Sequence, residues 1–226
     1  MIPPICVSIM ANSLGTAISL AKQARSAGAA LIEFRLDSLE GFGNLGLLAN
    51  SVDLPKIATV RKPSEGGLYK GAERRRREVL ASLAAEGFDY IDVELSTYRA
   101  GQLVREIQRK GKETIVSHHD FQRTGSCSRL KKIMKRQLGT GADICKIVTT
   151  ANSWKDNLPI FEFLQRTPKP RRVVCFAMGS YGAFSRIFSP LLGGAFTYAS
   201  VDDVSQAAPG QLSIHKMREI YQVISP

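Results

Sequence analysis

Lys146 stands alone among Ile144, Cys145, Ile147 and Val148. An ammonium in an apolar run is costly unless it is ionised and paired, or neutral and reactive. One reading is a strand-end lysine that snorkels or pairs with a carboxylate. The other is an amine whose pKa is lowered by burial and by neighbouring cations, so that it attacks a carbonyl and forms a Schiff base. Arg35 and Arg61 are the cations expected to act on it. His119, in "SHHDF", titrates near neutrality and could shuttle a proton, although a lone histidine is often only structural. His118 has the opposite parity and is expected at the helix layer or the rim. Glu65, in "RKPSEGG", could orient His119, and Gly66 and Gly67 let that loop bend close to a ligand. So many cations inside one fold demand counter-charges, for which Asp92 and Glu94 are the candidates. Arg186, in "GSYGAFSRIFSP", suits a bidentate grip on a carboxylate or phosphate. Gln211, in the Pro-Gly turn "AAPGQ", could cap a polar ligand.

Other chemistries find no support. The chain has no GxGxxG, no Walker P-loop and no metal-ligand spacing, so neither a nucleotide nor a metal cofactor is implied. Its four cysteines are widely spaced and three lie in apolar runs, the pattern of buried reduced thiols. The net charge of +11 raises the question of nucleic acid. Its densest source, "ERRRRE" (73–78), opens a helical stretch without aromatic neighbours and reads as a solvated helix surface. No apolar run approaches the roughly 18–20 residues of a membrane span. The start, "MIPPICVSIMANS", does not read as a signal peptide, so a cytoplasmic protein is expected.

Eight β-rich runs must position these groups: 5–10, 30–37, 56–61, 90–95, 113–120, 142–149, 172–179 and 194–201. Helical segments lie between them, such as "SLGTAISLAKQARSAG", "GAERRRREVLASLAAEG" and "TYRAGQLVREIQRKG". Several close with Gly, suited to a left-handed C-cap. Strict βα alternation makes a parallel sheet, open or closed. Parity decides between them. A doubly wound sheet is covered on both faces and should be apolar on both. Here one parity carries Glu33 and Arg35, Thr59 and Arg61, Asp92 and Glu94, Ser117 and His119, and Lys146. The other carries Phe34, Leu36, Val60, Val93, Leu95, Cys145 and Ile147. The polar parity would point into an eight-stranded parallel βα (TIM) barrel, clustered toward the carboxyl ends of the strands where barrel active sites lie. Asp37, at the end of its strand, either joins the inward charges or only caps the next turn. A single barrel domain over residues 1–226 is expected.

Taken in order, "EFRLD", "RKPSEGG", "SHHDF", "CKIV", "GAFSR" and "APGQ" closely resemble type I 3-dehydroquinate dehydratases across nearly the whole chain. The resemblance implies a usually dimeric, cofactor-free Schiff-base barrel of the shikimate pathway, the route of aromatic amino acid biosynthesis. It implies a lyase that takes 3-dehydroquinate to 3-dehydroshikimate by syn elimination, with no nucleic-acid or membrane partner. In that family's terms Lys146 forms the imine, His119 is the general base and acid, and Glu65 pairs with it. Arg186 holds the substrate carboxylate, while Glu33, Arg35 and Arg61 line the ring site. Met178 forms an apolar wall, and Gln211 belongs to a lid.

Three departures stand out. Ala207 occupies the lid position where the family commonly has Ser, putting one substrate hydrogen bond in doubt. Phe176 stands where bacterial members often have Met. The chain also starts almost at the first strand, as if without the N-terminal hairpin of longer members. Another Schiff-base enzyme, such as a class I aldolase, is the enzymatic alternative; it usually needs a phosphate site, which is missing here, since the only candidate, "LGGA" (192–195), precedes a strand instead of following one.

Overall fold

The computed structural model describes residues 2–202 and 210–224. Eight parallel strands are present among them: β1 (Ile5–Ile9), β2 (Leu31–Arg35), β3 (Lys56–Thr59), β4 (Tyr90–Glu94), β5 (Glu113–His119), β6 (Ile144–Thr150), β7 (Arg172–Met178) and β8 (Thr197–Ala199). Each of β1 to β6 pairs with the next, and β8 returns beside β1. The Ala195 N–H just ahead of β8 donates to the Val173 carbonyl at 2.8 Å, so the sheet curls into a nearly closed barrel. All eight runs read from the sequence are strands, trimmed by one or two residues at most ends.

The helices are α1 (Leu14–Ser26), α2 (Gly46–Ala49), α3 (Glu73–Ser82), α4 (Ala100–Arg109), α5 (Cys127–Gly139), α6 (Leu158–Gln165), α7 (Ala183–Phe188) and α8 (Ile214–Ile224). Local chemistry sets their ends. The Ser13 side chain caps α1 by accepting from the Thr16 N–H. Gly28 follows that helix at φ 88°, a left-handed turn that only glycine adopts without strain. Among the described residues no helix is long and apolar enough to cross a membrane.

Strand parity sorts the core as expected. Val7, Ile32, Phe34, Val60, Ile91 and Val93 pack outward under the helices in one cluster. Cys145, Ile147, Val173 and Cys175 do so in a second. Inside the barrel the layers differ. Ile57, Ile115, Ile144, Val174 and Phe196 form an apolar floor, and the charged side chains sit above it, toward the carboxyl ends. The four cysteines are unpaired and buried.

The "ERRRRE" stretch needs a correction. Arg74 and Arg75 lie at the surface and pair with Glu78, but Arg76 is fully buried. On α3 it shares a face with Val79 and Leu80, three and four residues on, and with Leu83, so it must point at the barrel. There it meets Glu94, Thr97, Glu73 and the Val60 carbonyl.

Candidate active site

Adjacent strands present their inward side chains side by side, which sets hydroxyls beside carboxylates. Ser8 of β1 stands beside Glu33 of β2, and Thr59 of β3 beside Asp92 of β4. Lys146 of β6 reaches across the lumen. Its Nζ lies 3.0 Å from Glu33 Oε1 and 3.2 Å from Asp92 Oδ2. Ser8 donates to the other Glu33 oxygen at 2.6 Å, and Thr59 donates to Oε1 at 3.0 Å. Burial opposes ionisation of Glu33, yet Lys146 above all holds its pKa down to about 2. Asp92 is held low in the same way, against burial, by Arg61 and Lys146.

Arg61 is the hub of the network. It grips Asp92 with both terminal nitrogens at 2.9 Å, takes Ser117 Oγ at 2.7 Å and lies 3.3 Å from Glu94. Glu94 also binds Arg76. An alternating chain therefore runs inward from the helix layer: Arg76, Glu94, Arg61, Asp92, Lys146. Arg35 and Arg61, expected as the neighbouring cations of Lys146, make no ion-pair contact with it among the described residues. Arg61 is engaged by two carboxylates, and Arg35 by Asp37 at 3.0 and 2.8 Å. The groups in ion-pair contact with the amine are carboxylates, as in the paired-lysine reading.

Asp37 joins the charge network through Arg35, and no side-chain bond caps the turn it sits in. It also accepts from the Leu68 N–H at 2.9 Å, while Arg35 donates to the Gly66 carbonyl at 3.3 Å. Together they pin the loop that carries Glu65. Gly67 is required there, because a Cβ at this position would lie 1.9 Å from the Arg61 carbonyl oxygen. The pinned loop holds Glu65 Oε2 2.9 Å from His119 Nδ1, and Ser96 donates to the other oxygen. With Nδ1–H donating to the carboxylate, the His119 Nε2 lone pair is left for a substrate proton. Burial, then the Arg61 charge, pushes the His119 pKa down to about 4, against the pull of Glu65. Glu65 itself is held below the ordinary carboxylate range: burial opposes this, but the His119 contact outweighs it. His118 is half-buried and is not among the groups around the cavity.

Arg186 lines the same cavity. Its helix is fixed by Ser185, whose N–H donates to Asn157 and whose Oγ accepts from the Ala177 N–H. Arg186 is buried, its Cζ lies 4.3 Å from the Phe176 ring centroid, and its Nε and Nη2 have no hydrogen-bond partner among the described residues. Burial lowers its pKa to about 10. A buried guanidinium with open N–H groups is a receptor for an anion.

These groups surround one cavity of about 670 Å³, counting its open mouth. Glu33, Arg35, Arg61, Glu65, His119, Lys146, Met178, Arg186 and Gln211 all line it. Ala207 lies outside the described residues. Four lining residues were not anticipated: Ser8, Phe121, Val148 and Tyr198. Ser8 and Tyr198 fall on the inward parity of their strands and could have been found by it. Phe121, stacked 6.3 Å from the His119 ring, lies beyond the end of β5 and carries no periodic signal.

The description type I 3-dehydroquinase belongs to the family model that matches residues 5–226. A 3-dehydroquinate dehydratase of Dehalococcoides mccartyi is 39% identical over 224 residues, covering 99% of this chain and 96% of its own. The Clostridium difficile type I 3-dehydroquinate dehydratase, solved with covalently modified comenic acid, superposes with a TM-score of 0.88 at 25% identity over 98% of this chain and 92% of its own. The Geobacillus kaustophilus 3-dehydroquinate dehydratase gives 0.89 at 25% identity over 99% and 93%.

Proposed function

The chain belongs to the type I 3-dehydroquinase family, and on that premise we propose that it converts 3-dehydroquinate to 3-dehydroshikimate through an imine formed on Lys146. The observation that carries this reading is the cavity's polarity. One buried amine and one buried guanidinium with open N–H groups face the same space. That arrangement fits a small molecule with a ketone at one end and a carboxylate at the other.

The Lys146 ammonium gives up one proton, the freed amine attacks the ketone and a second N–H proton follows; both protons end on the former carbonyl oxygen, which leaves as water, and a cationic imine remains between Glu33 and Asp92. His119 Nε2 takes a proton from the carbon beside the imine, and the C–H electrons move to the iminium nitrogen to give an enamine. Near pH 7 His119 is neutral, the form a base requires. The enamine electrons then expel the hydroxyl from the next carbon, and the same histidine returns its proton to it, so both transfers occur on one face. Water adds to the resulting iminium, releases the product ketone and frees Lys146. Arg186 fixes the ring so that His119 meets the correct hydrogen. Glu33, Arg35, Arg61, Gln211 and Met178 shape the pocket around the ring.

The remaining parts of the reading rest on the family likeness: one catalytic unit over residues 1–226, a homodimer, a cytoplasmic setting, and no nucleic-acid partner. Engagement of Arg74, Arg75 and Arg76 by carboxylates supports the last of these. Light scattering would read the mass of one chain or two. For the chemistry, the enzyme is treated with borohydride in the presence of 3-dehydroquinate and digested for mass spectrometry. The expected result is a reduced adduct on Lys146. Its absence, or an adduct elsewhere, overturns the mechanism.

A further inference from the structure

The two cations lining the cavity that the mechanism uses each rest on an aromatic ring, and the two rings are neighbours. Lys146 Nζ lies 4.3 Å from the Tyr198 centroid, and Arg186 Cζ lies 4.3 Å from the Phe176 centroid. The Phe176 and Tyr198 centroids are 5.9 Å apart with the planes inclined at 53°, and Phe196 backs Tyr198 at 5.6 Å. All three rings are buried. A seam of aromatic faces therefore runs from beneath the amine to beneath the guanidinium.

Guanidinium groups in protein interiors are usually oriented by carboxylates or carbonyls. Arg186 differs, since its Nε and Nη2 meet no acceptor among the described residues while its carbon sits over the Phe176 face. The negative face of the ring attracts the cation without using its N–H groups, and this attraction strengthens where water is excluded. We propose that Phe176 is the positioning residue of the carboxylate clamp. It seats Arg186 on its face so that the Nε–Nη2 edge stays open for a carboxylate, and through Tyr198 it fixes the distance from that edge to Lys146. The proposal rests on the imine reading above and adds a residue that acts through Arg186. An aliphatic or thioether side chain at position 176 would fill similar space but offer no quadrupole. The buried guanidinium would then be ordered only when the carboxylate arrives, and that cost falls on substrate capture.

The test keeps the shape and changes the electronics. Phe176 is replaced by its pentafluoro analogue, which reverses the charge distribution of the face, and in parallel by Phe176→Met. For each enzyme, KM and kcat with 3-dehydroquinate are measured. Borohydride trapping is then run with 3-dehydroquinate and with its methyl ester, which keeps the ketone and lacks the negative charge. We expect KM to rise about tenfold, with kcat within about threefold. Trapping of the ester at Lys146 should stay within about twofold of the unaltered enzyme. Unchanged KM in the fluorinated enzyme overturns the proposal. Equal losses for acid and ester also overturn it, since they would mean that position 176 only shapes the pocket. If the unaltered enzyme gives no Lys146 adduct with the acid, the imine reading itself fails, a result distinct from either of these.

Discussion

Replacing His119 with Gln should remove most of the acid sensitivity of folding between neutral pH and about pH 5. The folded protein holds this imidazole at about 4 because it is buried beside Arg61, whereas an exposed histidine titrates near 6.5. A folded pKa below the unfolded one means that the unfolded chain binds the proton first, so stability rises with pH through this window. At about pH 7.5 neither form is protonated and the linkage is nearly zero. At about pH 5 the unfolded histidine is almost fully charged and the folded one almost fully neutral, which costs about 2 kcal/mol. The cost levels off at roughly 3 kcal/mol below pH 4.

The carboxylates do not obscure this window. Glu33, Asp92 and Glu65 have depressed folded values, so their contributions are present above the ordinary carboxylate pKa of about 4 and are lost only as pH falls below it. His118 is also depressed by burial, but it is common to both proteins and cancels in the comparison. Urea unfolding of the unaltered protein and of His119→Gln, each at about pH 7.5 and about pH 5, gives four free energies. The unaltered protein should lose about 2 kcal/mol more than the variant on acidification. Equal losses would show that His119 is not held neutral by its surroundings. The same depression places the acid limb of kcat/KM contributed by His119 near pH 4, well below 6.5.

Further outcomes follow from the same geometry. Lys146→Ala should abolish both turnover and the borohydride adduct, while His119→Ala should lower turnover about 10²- to 10⁴-fold and still yield an adduct on Lys146; failure to trap any adduct in the histidine variant would refute this division of roles. Arg76→Met leaves buried Glu94 with Arg61 as its one ionic partner among the described residues, at 3.3 Å, and should cost about 3–5 kcal/mol in urea unfolding. Adding Glu94→Gln should recover part of that loss, and strictly additive costs would show that the two are not coupled.

How far the site could be read from the chain follows from how each residue reaches it. A strand alternates strictly, so one parity of eight strands names the lumen, and Glu33, Thr59, Asp92, Ser117 and Lys146 were visible as a set for that reason. Parity also points to Ser8 and Tyr198, but a serine and a tyrosine in apolar runs do not announce themselves as charges do. Arg76 was hidden differently. Within four consecutive arginines, composition suggests solvent, and only the helical spacing to Val79, Leu80 and Leu83 shows that one of the four must turn inward. The partners of Lys146 were beyond local reach, because Glu33 is 113 residues away and meets it only when the barrel curls. Strand parity suggested a field of arginines around the amine. Closure delivers carboxylates to it and turns the arginines onto those same carboxylates and onto Asp37. The long side chains therefore choose partners that strand register alone does not name. Arg61 spans from Asp92 to Glu94, and Arg35 reaches over the end of its strand to hold the Glu65 loop. The architecture is set by short-period pattern, while the electrostatics of the amine is set by which arginine is already spoken for.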